Sequence, residues 1–122
     1  MTYKFHKDGT LPENGEIFVF GSNLSGIHGA GAARAALKFG AQLGYGEGFV
    51  GQSYAIPTKD HQIHTLPLER IREYVEYFIS FAKTYPNEEF FVTAIGCGLA
   101  GHTPADIAPM FKDSPENVSF PD

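Results

Sequence analysis

The sequence predicts an α/β fold, a three-layer α/β/α sandwich whose sheet is mixed and mostly parallel. Three observations carry this reading. Short apolar runs rich in β-branched and aromatic residues, Glu16–Phe20 and Glu89–Ile95, have the continuous hydrophobic character of strands covered on both faces. Helical patterns alternate with these runs, so the connections are crossovers that put helices on both sides of the sheet. The glycines are also bunched: nine of the 14 lie between Gly21 and Gly51 and three more are Gly96, Gly98 and Gly101, so each bunch follows a strand.

Taken in order, Glu16–Phe20 supplies the first strand. From Ala32 to Leu43 the chain is Ala-rich, with Arg34 and Lys38 four apart as its only charges, which predicts a small-faced helix packed closely on the sheet. Ser53–Pro57 is another strand, ended where Pro57 lacks a ladder donor. Leu68, Ile71, Val75, Phe78 and Ala82 then recur at helical spacing, with Pro67 suited to a first turn and Tyr85-Pro86-Asn87 as a stop. The outer side of that helix, Glu69, Glu73 and Glu76 with Arg70 and Arg72, reads as a solvated exterior. After Glu89–Ile95, Thr103-Pro104-Ala105-Asp106 combines an N-cap, a proline at the first helical position and an acid three residues after the cap, opening a short helix to Lys112. Asn117–Phe120 is expected to add a last edge strand, kept short by Pro115 and Pro121.

A chain of 122 residues and 13.3 kDa with 43% hydrophobic residues suits one domain over residues 1–122. Nine Lys and Arg against 14 Asp and Glu give a net charge of −5, which excludes a general basic surface for a phosphate backbone. The one cysteine, Cys97, permits no intrachain disulfide, and a reducing cytoplasmic setting is expected. Met1 to Asp8 lacks a signal-type apolar stretch and no run approaches the ~18 apolar residues of a membrane span, so a soluble protein with no membrane partner is expected.

In open α/β sheets ligands sit outside the carboxyl ends of strands, and here two strands end in glycine-rich loops that each run into a helix. Glycine allows close backbone approach, and a helix start presents unpaired amides and a positive dipole end. Two such loops in equivalent places favour a grip on two phosphates over glycines that serve only turns and packing. The first loop, Gly21 to Gly31, has neither the phosphate-loop ending nor the dinucleotide glycine spacing, so an ordinary triphosphatase is disfavoured. Asn23 either hydrogen-bonds a ribose or a phosphate-linked hydroxyl, or closes an Asx turn, and composition favours the turn. His28 and His102 sit in the two loops, where an imidazole can donate to a phosphate or serve a turn or cap. His61 and His64 lack the further ligands that zinc requires, so no metal site is expected. Cys97, five residues before His102, reads as a small side chain buried beneath a loop rather than an activated nucleophile. Tyr45, Phe49 and Tyr54 could stack on a base, but core packing is the safer assignment.

Gly21-Ser22-Asn23 after a strand, the Gly/Ala-rich loop and helix that follow, and Ile95-Gly96-Cys97-Gly98-Leu99-Ala100-Gly101 together resemble the macrodomains, which bind ADP-ribose. The resemblance covers residues 16 to 112. Ile56-Pro57-Thr58-Lys59 is similar to the Thr-Lys pair of the macrodomain branch that removes ADP-ribose from proteins and DNA, where the lysine is catalytic. The resemblance implies that Asn23, beside Gly21 and Ser22, contacts the distal ribose, and that Gly29, Ala30 and Gly31 with His28 form the first phosphate loop. Gly96, Cys97, Gly98, Leu99, Ala100 and Gly101, with His102, would form the second. Lys59 would attack, or assist electrostatically at, the anomeric carbon, which for a lysine requires a lowered pKa.

The chain departs from that pattern and is shorter than most members of the family. Ala100 stands where the branch carries an aspartate, the usual Asn-Ala-Ala-Asn stretch is reduced to Gly21-Ser22-Asn23, and Asp8 is the candidate for the acid that recognises adenine. The implied protein binds ADP-ribose or a related NAD-derived nucleotide without a resident cofactor. Its extension is an ADP-ribosyl glycohydrolase acting on a modified protein or nucleic acid. The alternatives are a non-catalytic sensor or sequestering module for a small signalling nucleotide, and an assembly component whose glycines serve packing alone.

Overall fold

A computed structural model describes residues 4–13, 15–95 and 101–121. They form β1 (Lys4–His6), β2 (Ile17–Asn23), α1 (Gly31–Ala36), β3 (Gly48–Val50), β4 (Ser53–Lys59), α2 (Leu68–Thr84), β5 (Phe90–Val92), α3 (Pro104–Ile107) and β6 (Val118–Pro121). The six strands make one sheet in the order β1-β6-β5-β2-β4-β3. Every neighbouring pair is parallel except β3 with β4. The predicted sandwich with a mixed, mostly parallel sheet is therefore the observed one.

Side-chain alternation along the strands divides the core in two. Ile17 and Val19 of β2, Tyr54 and Ile56 of β4, and Phe90 and Val92 of β5 face α2, which buries Ile71, Val75, Phe78, Ile79 and Ala82. Phe18, Phe20, Ala55 and Phe91 face the other way, against Ala36 and Ala41. Burial on both faces explains why these strands read as unbroken apolar runs. The layer formed by α1 is thin because alanines bring its backbone close to the sheet, and Phe39 fills the remaining space by stacking on Phe18 with ring centroids 4.8 Å apart.

Several expectations need correction. The helix from Ala32 to Leu43 stops at Ala36, tightens into a 3-10 turn over Leu37–Phe39, and ends at Gly40 in the left-handed region (φ 95°), where glycine terminates helices readily. The strand expected to stop at Pro57 runs on to Lys59. β3 pairs only with Ser53–Ala55, so past that point β4 needs ladder partners on its β2 side alone. Pro67 precedes α2 as its N-cap, with its carbonyl accepting from the Arg70 and Ile71 amides. β6 is an interior strand, because β1 adds outside it in parallel. The Thr103–Asp106 capping box is present as predicted: each residue's side chain accepts from the other's backbone amide at 3.3 Å.

Tyr54 yields a pH prediction. It is 6% exposed and packs on Phe78 and Phe81, with both ring centroids 5.1 Å away. Burial, and secondarily the negative charge of Glu47, pushes its phenol up to about 12. The folded state keeps this proton where the unfolded chain, near 10, releases it. Stability is therefore intact below the unfolded value and is lost as pH rises towards the folded one, by about 2 kcal/mol. Urea midpoints at about pH 9 and about pH 11.5 should show this loss in the wild type, with Tyr54→Phe falling less by that amount.

Candidate functional site

A cleft of about 720 Å³ opens at the carboxyl ends of β1, β5, β2 and β4. From β1 to β4 is four strand spacings, about 19 Å. Its middle is lined by the end of β2 (Gly21, Ser22, Asn23) and by the turn into α1 (Gly29, Ala30, Gly31). One end carries Asp8 after β1, and the other carries Thr58 and Lys59 at the end of β4. Phe18 and Phe91 form the floor, and the His6 ring lies flat on Phe91 at 3.6 Å with its Nδ1 2.8 Å from the Ser119 hydroxyl. Among the described lining residues, Lys59 is the sole lysine or arginine and Asp8 the sole acid.

The loop after β2 is shaped by two devices. Asn23 Oδ1 accepts from the Ile27 amide at 3.0 Å while its Nδ2 donates to the Ile27 carbonyl at 2.8 Å, so one carboxamide closes the turn like a backbone pair. This is the Asx-type role, and it leaves one N–H and one lone pair of the side chain for other partners. The second device is a clasp of backbone on backbone. A Cβ on Gly46 would lie 2.1 Å from the Asn23 carbonyl, and one on Gly26 would lie 2.5 Å from the backbone at Gly44 and Tyr45. The Ser22 hydroxyl donates to the Gly46 carbonyl, and the Gly44 amide donates to Gly26 at 3.0 Å.

The first glycine bunch thus does two jobs. Gly26 and Gly46 are glycines because another chain segment touches them, whereas a Cβ on Gly29 or Gly31 would meet nothing within 4 Å. Those two positions, with Ala30 between them, present bare backbone to the cleft. Ala30 offers no side chain to cap α1, so the first amides of the helix keep their donors for other partners.

Lys59 is half-buried and fixed by its backbone: its carbonyl accepts from Leu24 at 2.9 Å, and it bridges to Thr65 in antiparallel fashion. The parallel register places it opposite Asn23. The two histidines expected in the loops do not line the cleft. His28 is 6% exposed, with Nε2 2.9 Å from the Gln42 carbonyl and its ring edge-on to Phe20, so it braces the loop from beneath. His102 Nε2 lies 3.2 Å from the Leu66 carbonyl and ties the approach to α3 to the start of α2. Gly101 is exposed with φ 86° and also does not line the cleft. Gly96, Cys97, Gly98, Leu99 and Ala100 lie outside the described residues. Thr93 and Ala94, which lead towards them, line the cleft.

Tyr45 and Phe49 are exposed and Tyr54 is core, and none of the three lines the cleft. His61 and His64 are exposed, and among the described residues no three His, Cys, Asp or Glu side chains gather into a metal-type group. Nor, among those residues, is any helix long and apolar enough to cross a membrane. Cleft residues that the sequence did not single out include His6, Gly9, Thr10, Leu11, Ile27 and Ile63. The three-residue β1 offers too short a pattern to recognise, and the two isoleucines lie outside any strand or helix period.

No family model and no curated protein matches the sequence. Solved structures do match its fold. The macrodomain of Mycobacterium tuberculosis DarG superposes with a TM-score of 0.69 over 99% of this chain and 98% of that one, at 19% identity. A protein of unknown function from Bacteroides thetaiotaomicron gives 0.68 over 100% and 98%, at 17% identity. Thermosipho africanus DarTG, solved in complex with ADP-ribose, gives 0.60 at 16% identity, with 88% of this chain covering 38% of that one. The fold is that of a macrodomain.

Proposed function

We propose that this chain, a macrodomain in fold, is a single-domain binder of ADP-ribose or a related NAD-derived nucleotide. The observation that carries the reading is one cleft that runs from Asp8 to Lys59 and has the bare backbone of Gly29–Gly31 at its centre. It is long enough for two ribosyl ends with a diphosphate between them. Backbone amides suit an anion in a chain of net charge −5, since oriented dipoles hold phosphate without a field of cations. The Asp8 end can accept from an exocyclic amine, and the Phe18 and Phe91 floor is apolar. The fold neighbour from T. africanus was solved with ADP-ribose, which supports this ligand class. The second phosphate contact is assigned, on the resemblance alone, to Gly96, Cys97, Gly98, Leu99 and Ala100, which follow the cleft-lining Thr93 and Ala94 in the chain.

Calorimetric titration with ADP-ribose beside AMP, ADP and NAD tests the reading. Heat with ADP-ribose in clear preference to AMP and ADP is expected; no heat with any of them removes it.

The catalytic extension places Lys59 at the anomeric carbon of the distal ribose. The bond from that carbon to the modified group breaks, the leaving atom takes a proton, and water supplies the new hydroxyl of free ADP-ribose. Lys59 contributes by charge and position at the developing oxocarbenium-like centre. Lys59→Ala is expected to slow release from an ADP-ribosylated protein or oligonucleotide by about 100-fold. Its ADP-ribose affinity should change far less. Full activity in that variant removes the lysine mechanism. A second reading, a non-catalytic sensor or sequestering module, is favoured by Ala100, an alanine where the resembled hydrolase branch carries an aspartate in its sequence. It predicts unaltered modified substrate after long incubation with a protein that binds ADP-ribose well.

A further inference from the structure

We propose that Ile63 is a positioning residue for the sugar at the Lys59 end of the cleft, held there against its own backbone preference. The inference rests on the ADP-ribose reading. Among the described residues Ile63 is the one non-glycine with positive φ, at 65°. A β-branched side chain is poorly suited to that region, and glycine or asparagine would be the ordinary choice for a turn that needed only the shape. Burial does not explain the isoleucine either: it is 41% exposed and belongs to neither core cluster.

The turn is built to hold it. Asp60 Oδ1 accepts from the amides of Gln62 and His64, each at 2.9 Å. The Ile63 amide donates to the Asp60 carbonyl at 3.1 Å, and the Asp60 amide donates to the His64 carbonyl at 2.8 Å. The Lys59–Thr65 bridge closes the base of the turn. Ser25 donates to the His61 carbonyl at 2.6 Å, which ties the turn to the loop carrying Ile27.

Ile27 repeats the design from the facing loop. It is 51% exposed, lines the same cleft, and has both backbone groups gripped by the Asn23 carboxamide. Two loops, each locked by the side chain of an Asn or Asp near its start, therefore set an isoleucine on the cleft wall at the end where Lys59 stands. Branched aliphatic side chains suit the C–H face of a sugar. By excluding water they also strengthen the electrostatic action of a neighbouring ammonium. A strained residue with no structural need for its side chain, facing a ligand cleft, is the pattern expected of a functional site.

The test is a pair of measurements that a merely structural residue would not move in opposite directions. Ile63→Asn and Ile63→Gly relieve the backbone, so the melting temperature should rise by roughly a few degrees. The same variants should bind ADP-ribose about tenfold more weakly by calorimetry, while Ile63→Val stays near wild type. Asp60→Ala, which frees the turn with Ile63 still present, should also weaken binding. Wild-type affinity in Ile63→Asn overturns the positioning role, and a lowered melting temperature in both Asn and Gly variants overturns the strain. Failure of the wild type to bind ADP-ribose overturns the ligand reading itself and this role with it, and that outcome is distinct from the other two.

Discussion

Gly29→Glu is expected to abolish ADP-ribose binding while the fold survives. Gly29 is exposed on the cleft wall, lies outside the positive-φ region and has no atom within 4 Å of a built Cβ, so a side chain enters without strain. Its carboxylate would then stand where the diphosphate is proposed to lie. Two like charges about 4 Å apart at an effective dielectric near 20 repel by about 4 kcal/mol, which corresponds to a loss of about 1,000-fold in affinity. Calorimetry should show no measurable heat, and the melting temperature should stay near that of the wild type. Gly31→Glu should act in the same direction, but its φ of 59° adds backbone strain, so Gly29 is the cleaner position. Retained affinity in Gly29→Glu would move the phosphates away from this loop.

The largest loss of stability from one added methyl group is expected at Gly46→Ala. The new Cβ would sit 2.1 Å from the Asn23 carbonyl oxygen and 3.1 Å from the Gly26 amide nitrogen, both backbone atoms in a buried clasp. Neither can swing aside as a side chain would, so the segment before β3 must separate from the loop after β2. A loss of about 4 kcal/mol or more is expected from urea unfolding. Gly44→Ala serves as the control: its φ is 89° but nothing lies within 4 Å, so only backbone strain of about 1–2 kcal/mol applies. Equal effects at the two positions would show that close approach is not what demands glycine at 46. Because Asn23 also shapes the Ile27 turn, Gly46→Ala should disturb ligand binding in any molecules that remain folded.

The elements legible in the sequence share one property, that their signal is local. α2 shows itself through Ile71, Val75, Phe78 and Ala82 at helical spacing, and α3 through Thr103, Pro104 and Asp106 within four residues. β2 and β4 show as apolar runs because both their faces are covered. β1 and β3, three residues each, are too short to show a period, and β1 finds its partner 113 residues away, as the His6–Ser119 contact shows. That distant pairing is what turns β6 from the expected edge strand into an interior one.

The same division runs through the site. Pattern alone places glycines after β2, and the resemblance to macrodomains supplies both the ligand class and Lys59, which only the structure puts at the end of β4. Which glycines face a ligand and which face another backbone depends on the approach of Gly44–Gly46 to Asn23–Gly26, about 20 residues apart along the chain. Whether a loop histidine points into the cleft or beneath it depends on carbonyls at Gln42 and Leu66 that no local pattern announces. Ile63 carries no signal in the sequence at all, since its importance lies in a backbone angle imposed by Asp60 and in the cleft it meets. The sequence by itself determined β2, β4, β5, α2, α3 and the glycine-rich stretch after β2, because side-chain period and turn chemistry act over a few residues. Only the tertiary structure decided which of those ends share a cleft, because parallel pairing joins segments that have no contact along the chain.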